Sequence, residues 1–94
     1  MEKERETLLL VEDDPQQMQI YAEGLRKHGF VVHTASTERE AMSKLEDGLG
    51  INCLVINPYM PQMDSVNFVR DALKKNHYYL VIFQSRVYLR CYVM

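Results

Sequence analysis

The chain has 94 residues, of which 47% are hydrophobic, and a formal net charge of -2. This length predicts a single domain over residues 1–94, in which residues 1–6 form a polar lead. So small a chain buries only about 60–65% of its unfolded surface, so we expect its stability margin to be thin. A slightly acidic chain without a basic cluster cannot neutralise several phosphates, so we expect no direct nucleic-acid partner. No apolar run approaches the roughly 20 residues of a membrane span, and no secretion signal opens the chain, which predicts a cytoplasmic protein without membrane contact.

The first third of the sequence predicts a strand, a helix and a second strand. The continuous β-type run TLLLV, at Thr7–Val11, is typical of a strand buried on both faces of a parallel sheet. Asp14 before Pro15 predicts a helix start, because the carboxylate caps the first turn and proline at the first position sacrifices no hydrogen bond. We expect Gly29 to end this helix and FVVHTAS to form the second strand.

The rest of the chain continues the alternation. Thr37 and Glu40 have the spacing of a capping box, which predicts a second helix. The apolar run INCLVI predicts a third strand, a third helix is expected from Asp64 or Ser65 to the segment KKN, and YYLVIFQ predicts a fourth strand. Strands alternating with amphipathic helices indicate an α/β fold with a parallel sheet.

Polar residues follow several of these strands. Glu12 and Asp13 follow the first strand, Asn57 ends the third and Ser85 follows the fourth. Because ligands of open parallel sheets bind outside the carboxyl ends of the strands, these residues form the candidate site. The simpler interpretation is that the acidic run only caps a helix whose dipole favours negative charge, and that Ser85 is a solvated hydroxyl, which we favour for that residue.

The segments LLLVEDDP, LVINPYMPQMDS and VIFQS together closely resemble the receiver domain of bacterial two-component response regulators, the CheY-like family. The resemblance extends from about Thr7 to Ser85. It implies a flavodoxin-like parallel sheet with flanking helices, a strand order of 2-1-3-4-5, and a role in phosphorelay signal transduction rather than in enzymatic catalysis.

The resemblance also implies a role for each site residue. Glu12 and Asp13 correspond to the acidic pair that holds Mg²⁺, Tyr59 would offer a backbone carbonyl to the metal, and Ser85 takes the place of the switch hydroxyl. Asn57 stands where the family has its phosphorylated aspartate. An amide oxygen is a far poorer nucleophile than a carboxylate oxygen, so we expect no phosphoacceptor. Losing a negative charge also weakens cation binding, so we expect no cofactor, or only weakly bound Mg²⁺.

The C-terminal end departs from the family as well. The family continues through a lysine-bearing fifth strand, whereas this sequence has no lysine after Lys75, so we expect a sheet truncated after the fourth strand and an atypical tail at 86–94. An apolar fourth strand at an open edge predicts self-association, as a dimer or larger assembly. The alternative is that the tail folds back as a substitute fifth strand. The residues expected at the interface are Tyr78, Tyr79, Leu80, Val81, Ile82, Phe83, Val87, Tyr88 and Leu89.

These observations favour an atypical receiver domain that acts without phosphorylation, as an interaction module that binds itself, a histidine kinase or another signalling protein. One alternative is a conventional switch in which Asp13 or Asp64 accepts the phosphoryl group. Another is a truncated or engineered receiver fragment. An ordinary enzyme is not expected, because the sequence contains no glycine-rich phosphate loop and no nucleophile–histidine–acid arrangement that its spacing supports.

Overall fold

The computed structural model describes residues 6–57, 60, 61, 63–75, 80–84 and 89–93. Strands and helices alternate up to the fourth strand, as predicted, and a fifth strand follows. The elements are β1 (Thr7–Val11), α1 (Pro15–Lys27), β2 (Val31–Ala35), α2 (Glu38–Glu46), β3 (Cys53–Ile56), α3 (Ser65–Lys75), β4 (Leu80–Gln84) and β5 (Leu89–Val93).

The strands form one sheet in the order β2-β1-β3-β4-β5. The first four strands in this order are parallel, with Val11 of β1 in register with Ala35 of β2 and with Ile56 of β3. Because β1 lies inside the sheet between β2 and β3, its apolar run is covered on both faces, as its composition predicts. The predicted flavodoxin-like α/β fold is confirmed.

The C-terminal strand corrects one expectation. β5 pairs antiparallel with β4, with Gln84 opposite Leu89 and Leu80 opposite Val93. The prediction that the sheet stops at β4 and leaves it as an open edge is therefore wrong, and the alternative of a substitute fifth strand is the one the backbone adopts. The physical reason is that the pairing satisfies β4 peptide groups that would otherwise lack partners within the sheet.

Helices cover the two faces of the sheet unequally. Alternate residues of a strand point to opposite faces, so Leu8 and Leu10 belong to one apolar cluster and Leu9 and Val11 to the other. The first cluster includes Ala22 of α1, and the second includes residues of α2 and α3. None of the helices in the described part of the chain combines the length and apolar character that a membrane span requires.

The start of α1 confirms its prediction. The Asp14 carboxylate accepts hydrogen bonds from the backbone N–H groups of Gln16 and Gln17, at 2.9 and 3.3 Å. The helix ends at Lys27, and Gly29 follows with a φ of 92°, in the left-handed region that favours glycine. This cap orients the chain that leaves β1 and places Glu12 and Asp13 immediately before the helix.

The start of α2 differs in part from the predicted capping box. The Thr37 hydroxyl accepts a hydrogen bond from the Glu40 N–H at 3.1 Å, as predicted. The Glu40 carboxylate, however, accepts its bond from the N–H of Ser36, at 2.8 Å. The bond from the Ser36 backbone, helped by the Ser36 hydroxyl and by Lys44, holds the pKa of Glu40 below its ordinary value although partial burial opposes this. Glu40 therefore secures the end of β2 as well as the start of the helix.

Candidate functional site

The candidate site lies where β1 and β3 end side by side. Glu12 directly follows β1, and its N–H donates to the carbonyl of Ala35 at 3.0 Å. Asn57 directly follows β3, and its N–H donates to the carbonyl of Val11 at 3.1 Å. Both residues thus remain attached by their backbone to the neighbouring strand, which brings their side chains together at the carboxyl edge of the sheet.

The side chains of Asn57 and Glu12 form a direct hydrogen-bonded pair. The Nδ2 of Asn57 donates to both carboxylate oxygens of Glu12, at 3.2 Å each. Glu12 is only 2% exposed, so its carboxylate has little access to water and needs donors from the protein. A carboxylate oxygen can only accept, which orients the amide nitrogen of Asn57 toward it.

A third hydrogen bond to the Glu12 carboxylate comes from the start of α1. The backbone N–H of Asp14 donates to Oε2 of Glu12 at 3.1 Å. The sequence predicts Asp14 only as a helix cap. Its contact with Glu12 follows from a general property of helix starts, where N–H groups lack intrahelical partners and bind nearby anions. Glu12 is therefore held by an amide side chain and by a helix N-terminus.

The other carboxylates near these elements are differently placed. Asp13 is exposed. Asp64 is also exposed, and it caps α3: Oδ1 accepts from the N–H of Asn67 at 3.1 Å and Oδ2 accepts from the Asn67 side chain at 2.8 Å. Tyr59 and Ser85 lie outside the described residues. Of the predicted site residues, the structure therefore brings Glu12 and Asn57 into contact.

The geometry does not fit a tight site for a divalent cation. Mg²⁺ requires oxygen ligands in a near-octahedral arrangement. Asn57 presents its NH₂ group to Glu12, and this group occupies both carboxylate oxygens. In the part of the chain that the structure describes, no group of three or more histidine, cysteine, aspartate or glutamate side chains is placed to hold a metal ion. The amide instead supplies the positive end of a dipole where a cation would supply charge.

Comparison with known proteins identifies one family. The family model described as the response regulator receiver domain matches residues 8–87. Among solved structures, the response regulator TrrA from Thermotoga maritima, in complex with Mg²⁺-BeF, is 22% identical with a TM-score of 0.73, over 81% of this chain and 65% of that one. TrrA in complex with the histidine kinase ThkA is 22% identical with a TM-score of 0.76, over 88% of this chain and 71% of that one.

A third similar structure is the chemotaxis response regulator CheY4 of Vibrio cholerae, 24% identical with a TM-score of 0.67, over 83% of this chain and 68% of that one. This chain thus spans about two thirds of the length of these regulators. No curated protein sequence shows significant similarity to it. At such identities the structural matches establish the fold, and the family model establishes the kind of domain.

Proposed function

This chain belongs to the response regulator receiver domain family, and from that premise we propose that it is an atypical member, a phosphorylation-independent interaction module rather than a phosphoryl switch or an enzyme. The receiver domain is the signalling module of two-component systems. What is specific to this chain, on our proposal, is that the site at the carboxyl edge of the sheet serves to hold the fold in one state.

One observation carries the proposal: the Nδ2 of Asn57 donates to both carboxylate oxygens of buried Glu12. A carboxylate at position 57 would be the nucleophile for phosphoryl transfer, but an amide is a poor nucleophile and forms no stable acyl phosphate. The amide also occupies carboxylate oxygens of Glu12 that would otherwise be available to a cation. Both effects would make the function of the domain independent of a phosphoryl donor.

The alternative acceptors, Asp13 and Asp64, are less favourable. Both oxygens of Asp64 accept hydrogen bonds from Asn67 at the start of α3, so phosphorylation there would cost the cap of that helix. Asp13 is exposed, where water would hydrolyse an acyl phosphate and where no described donor is held in place to stabilise the transferred group.

Residual metal binding and partners follow from the same proposal. We expect Mg²⁺ to bind weakly, because it would have to displace the Asn57 amide from Glu12. Since the similar regulator TrrA forms a complex with the histidine kinase ThkA, a histidine kinase or another signalling protein is a natural candidate to bind this receiver fold without transferring phosphate. A cytoplasmic location and a bacterial source remain predictions.

The proposal is tested by incubation with acetyl phosphate and Mg²⁺ followed by intact-mass measurement. We expect no phosphoryl adduct on the wild-type chain, beside a conventional receiver domain that is modified under the same conditions. The Asn57→Asp variant is measured in parallel, because it restores a carboxylate nucleophile at this position and so reports whether the amide alone prevents modification.

A phosphoryl adduct on the wild-type chain that turns over with Mg²⁺ would contradict the proposal. Peptide mapping of that adduct to Asp13 or Asp64 would establish the conventional switch instead. Strong modification of Asn57→Asp alone would indicate that the amide is what disables an otherwise complete site.

We also propose that the chain self-associates through its C-terminal third. The pairing of β4 with β5 moves the predicted edge outward, so β5 is now the last strand on that side of the sheet. Of the predicted interface residues, Leu80–Phe83 lie in β4 and Leu89 begins β5, whereas Tyr78, Tyr79, Val87 and Tyr88 lie outside the described residues. An edge strand offers unpaired backbone groups to a second copy.

Size-exclusion chromatography with light scattering, over a series of protein concentrations, measures this association. We expect a mass that rises toward that of a dimer as concentration increases. A monodisperse monomer at the highest concentration would contradict self-association and leave the proposed loss of phosphorylation untouched.

A further inference from the structure

The opposite edge of the sheet, β2, has backbone groups that point away from its neighbour. The N–H of Val31 donates to the Glu6 carbonyl at 2.9 Å, and the carbonyl of Ala35 accepts from the Glu12 N–H at 3.0 Å. These odd-numbered residues therefore face β1. Since the peptide groups of a strand alternate in direction, the N–H and carbonyl groups of Val32 and Thr34 and the N–H of Ser36 point outward.

Three of these five outward groups, the two carbonyls and the N–H of Ser36, each have a charged side chain bonded to them. The guanidinium of Arg26 donates to the carbonyl of Val32 at 2.9 Å. The ammonium of Lys44 donates to the carbonyl of Thr34. The N–H of Ser36 donates to the carboxylate of Glu40 at 2.8 Å.

The three charged residues come from both sides of the sheet. Arg26 belongs to the last turn of α1, on one face, while Lys44 and Glu40 belong to α2, on the other. The Nζ of Lys44 also lies 3.6 Å from Oε2 of Glu40. The cation that donates to the Thr34 carbonyl therefore forms an ion pair with the anion that accepts from the Ser36 N–H. Hydrogen bonds to charged groups are stronger than neutral ones.

A strand that added to β2 would have to displace all of these bonds. It would also have to desolvate the charges or move them aside, and lysine at an edge is a known means by which sheets prevent pairing with other chains. From this geometry we infer that Arg26, Lys44 and Glu40 form an edge guard, which closes β2 to strand addition by a second copy of this chain. The inference concerns the edge opposite β5 and does not depend on the proposed self-association there.

The test removes the two cations without shortening the side chains much. In the double variant Arg26→Met/Lys44→Met the apolar stems and the helix propensity are kept, but the donors to Val32 and Thr34 are lost. The matched control is Lys27→Met/Lys74→Met, which removes the same charge from exposed positions on α1 and α3. Lys74 pairs only weakly with Asp71, with 3.9 Å between Nζ and Oδ1. Both variants are compared with the wild type by light scattering and by amide hydrogen exchange.

We expect the double variant to form larger species than the wild type as concentration rises, and the control variant to match the wild type. In those larger species the amides of Val32 and Thr34 should exchange about fivefold more slowly, the factor expected from one added backbone hydrogen bond. Slower exchange at these two amides distinguishes strand addition from simple destabilisation, which speeds exchange throughout the sheet.

A folded double variant with unchanged mass and unchanged exchange at Val32 and Thr34 would overturn the inference. So would larger species in which protection is lost along β1 and β3, because that pattern reports unfolding. If the double variant does not fold, Lys44→Met is compared with Lys27→Met by the same two measurements, and the same outcomes apply.

Discussion

Replacing Asn57 with aspartate is expected to lower the free energy of unfolding by about 2–4 kcal/mol at neutral pH. The substitution removes both hydrogen bonds that Nδ2 donates to Glu12, and it places a second carboxylate in their position. Because Glu12 is 2% exposed, water screens the resulting repulsion poorly. The half-buried position of residue 57 keeps the loss below the upper limit for a buried unpaired charge.

The size of this loss depends on pH. Repulsion raises the pKa of the introduced carboxyl above its unfolded value, which is about 3.9. Between the unfolded and the folded pKa the folded state binds more protons, so stability falls as pH rises through that window. Urea denaturation from about pH 4 to about pH 8 should therefore show a difference from wild type that grows with pH.

Magnesium separates this charge effect from a packing defect. Mg²⁺ should raise the unfolding free energy of Asn57→Asp more than that of the wild type, since only the variant gains an anionic pair for the cation to bridge. The matched control is Asn52→Asp. The Oδ1 of Asn52 accepts from the Thr7 N–H at 3.2 Å, an acceptor that aspartate retains, so a change of about 0.5 kcal/mol or less is expected.

The explanation fails if Asn57→Asp is as stable as the wild type at neutral pH. It fails equally if Mg²⁺ stabilises both proteins to the same extent, because the amide would then not stand in for a cation. Neither outcome would alter the assignment of the fold.

Replacing Phe68 with alanine is expected to cost about 3–5 kcal/mol. Phe68 is 1% exposed and is the largest fully buried side chain among the described residues. It joins α3 to the cluster that contains Ile56 and Met60, on either side of Asn57 along the chain. Against a total stability of about 5–15 kcal/mol for a domain of this kind, the cavity would leave the fold barely stable.

Val66 provides the control on the same helix. Its side chain is 63% exposed, so Val66→Ala removes little buried surface and improves helix propensity, and the expected change is within about 0.5 kcal/mol. Chemical denaturation measures both variants. A cost for Phe68→Ala no greater than that for Val66→Ala would show that α3 does not hold the site through this cluster.

Local chemistry explains why most of the fold could be predicted. Asp14 before Pro15, Thr37 three residues before Glu40, and the residues around Asp64 and Ser65 mark helix starts, because a cap requires only neighbours along the chain. The apolar runs in β1 and β3 likewise predict strands buried on both faces. With strand ends known, Glu12 and Asn57 could be expected at one edge of the sheet.

The tertiary structure was needed to identify contacts between groups that lie far apart along the chain. The pairing of β5 with β4 could not be predicted from local pattern alone, because Val87, Cys91 and Met94 have helical spacing whereas tyrosine and valine favour extended structure. The orientation of the Asn57 amide toward Glu12 depends on contacts between residues 45 positions apart.

By itself, then, the sequence determined the order of strands and helices from β1 to β4, the helix starts and the amide at position 57, because these follow from side chains and their nearest neighbours. Only the folded chain decided that this amide faces a buried carboxylate, that the Glu40 carboxylate accepts from the N–H of Ser36 rather than from that of Thr37, and that Arg26 and Lys44 donate to carbonyls of β2. The physical reason is that a hydrogen bond needs its two atoms within about 3.5 Å. Packing, rather than local propensity, sets such distances between separate elements.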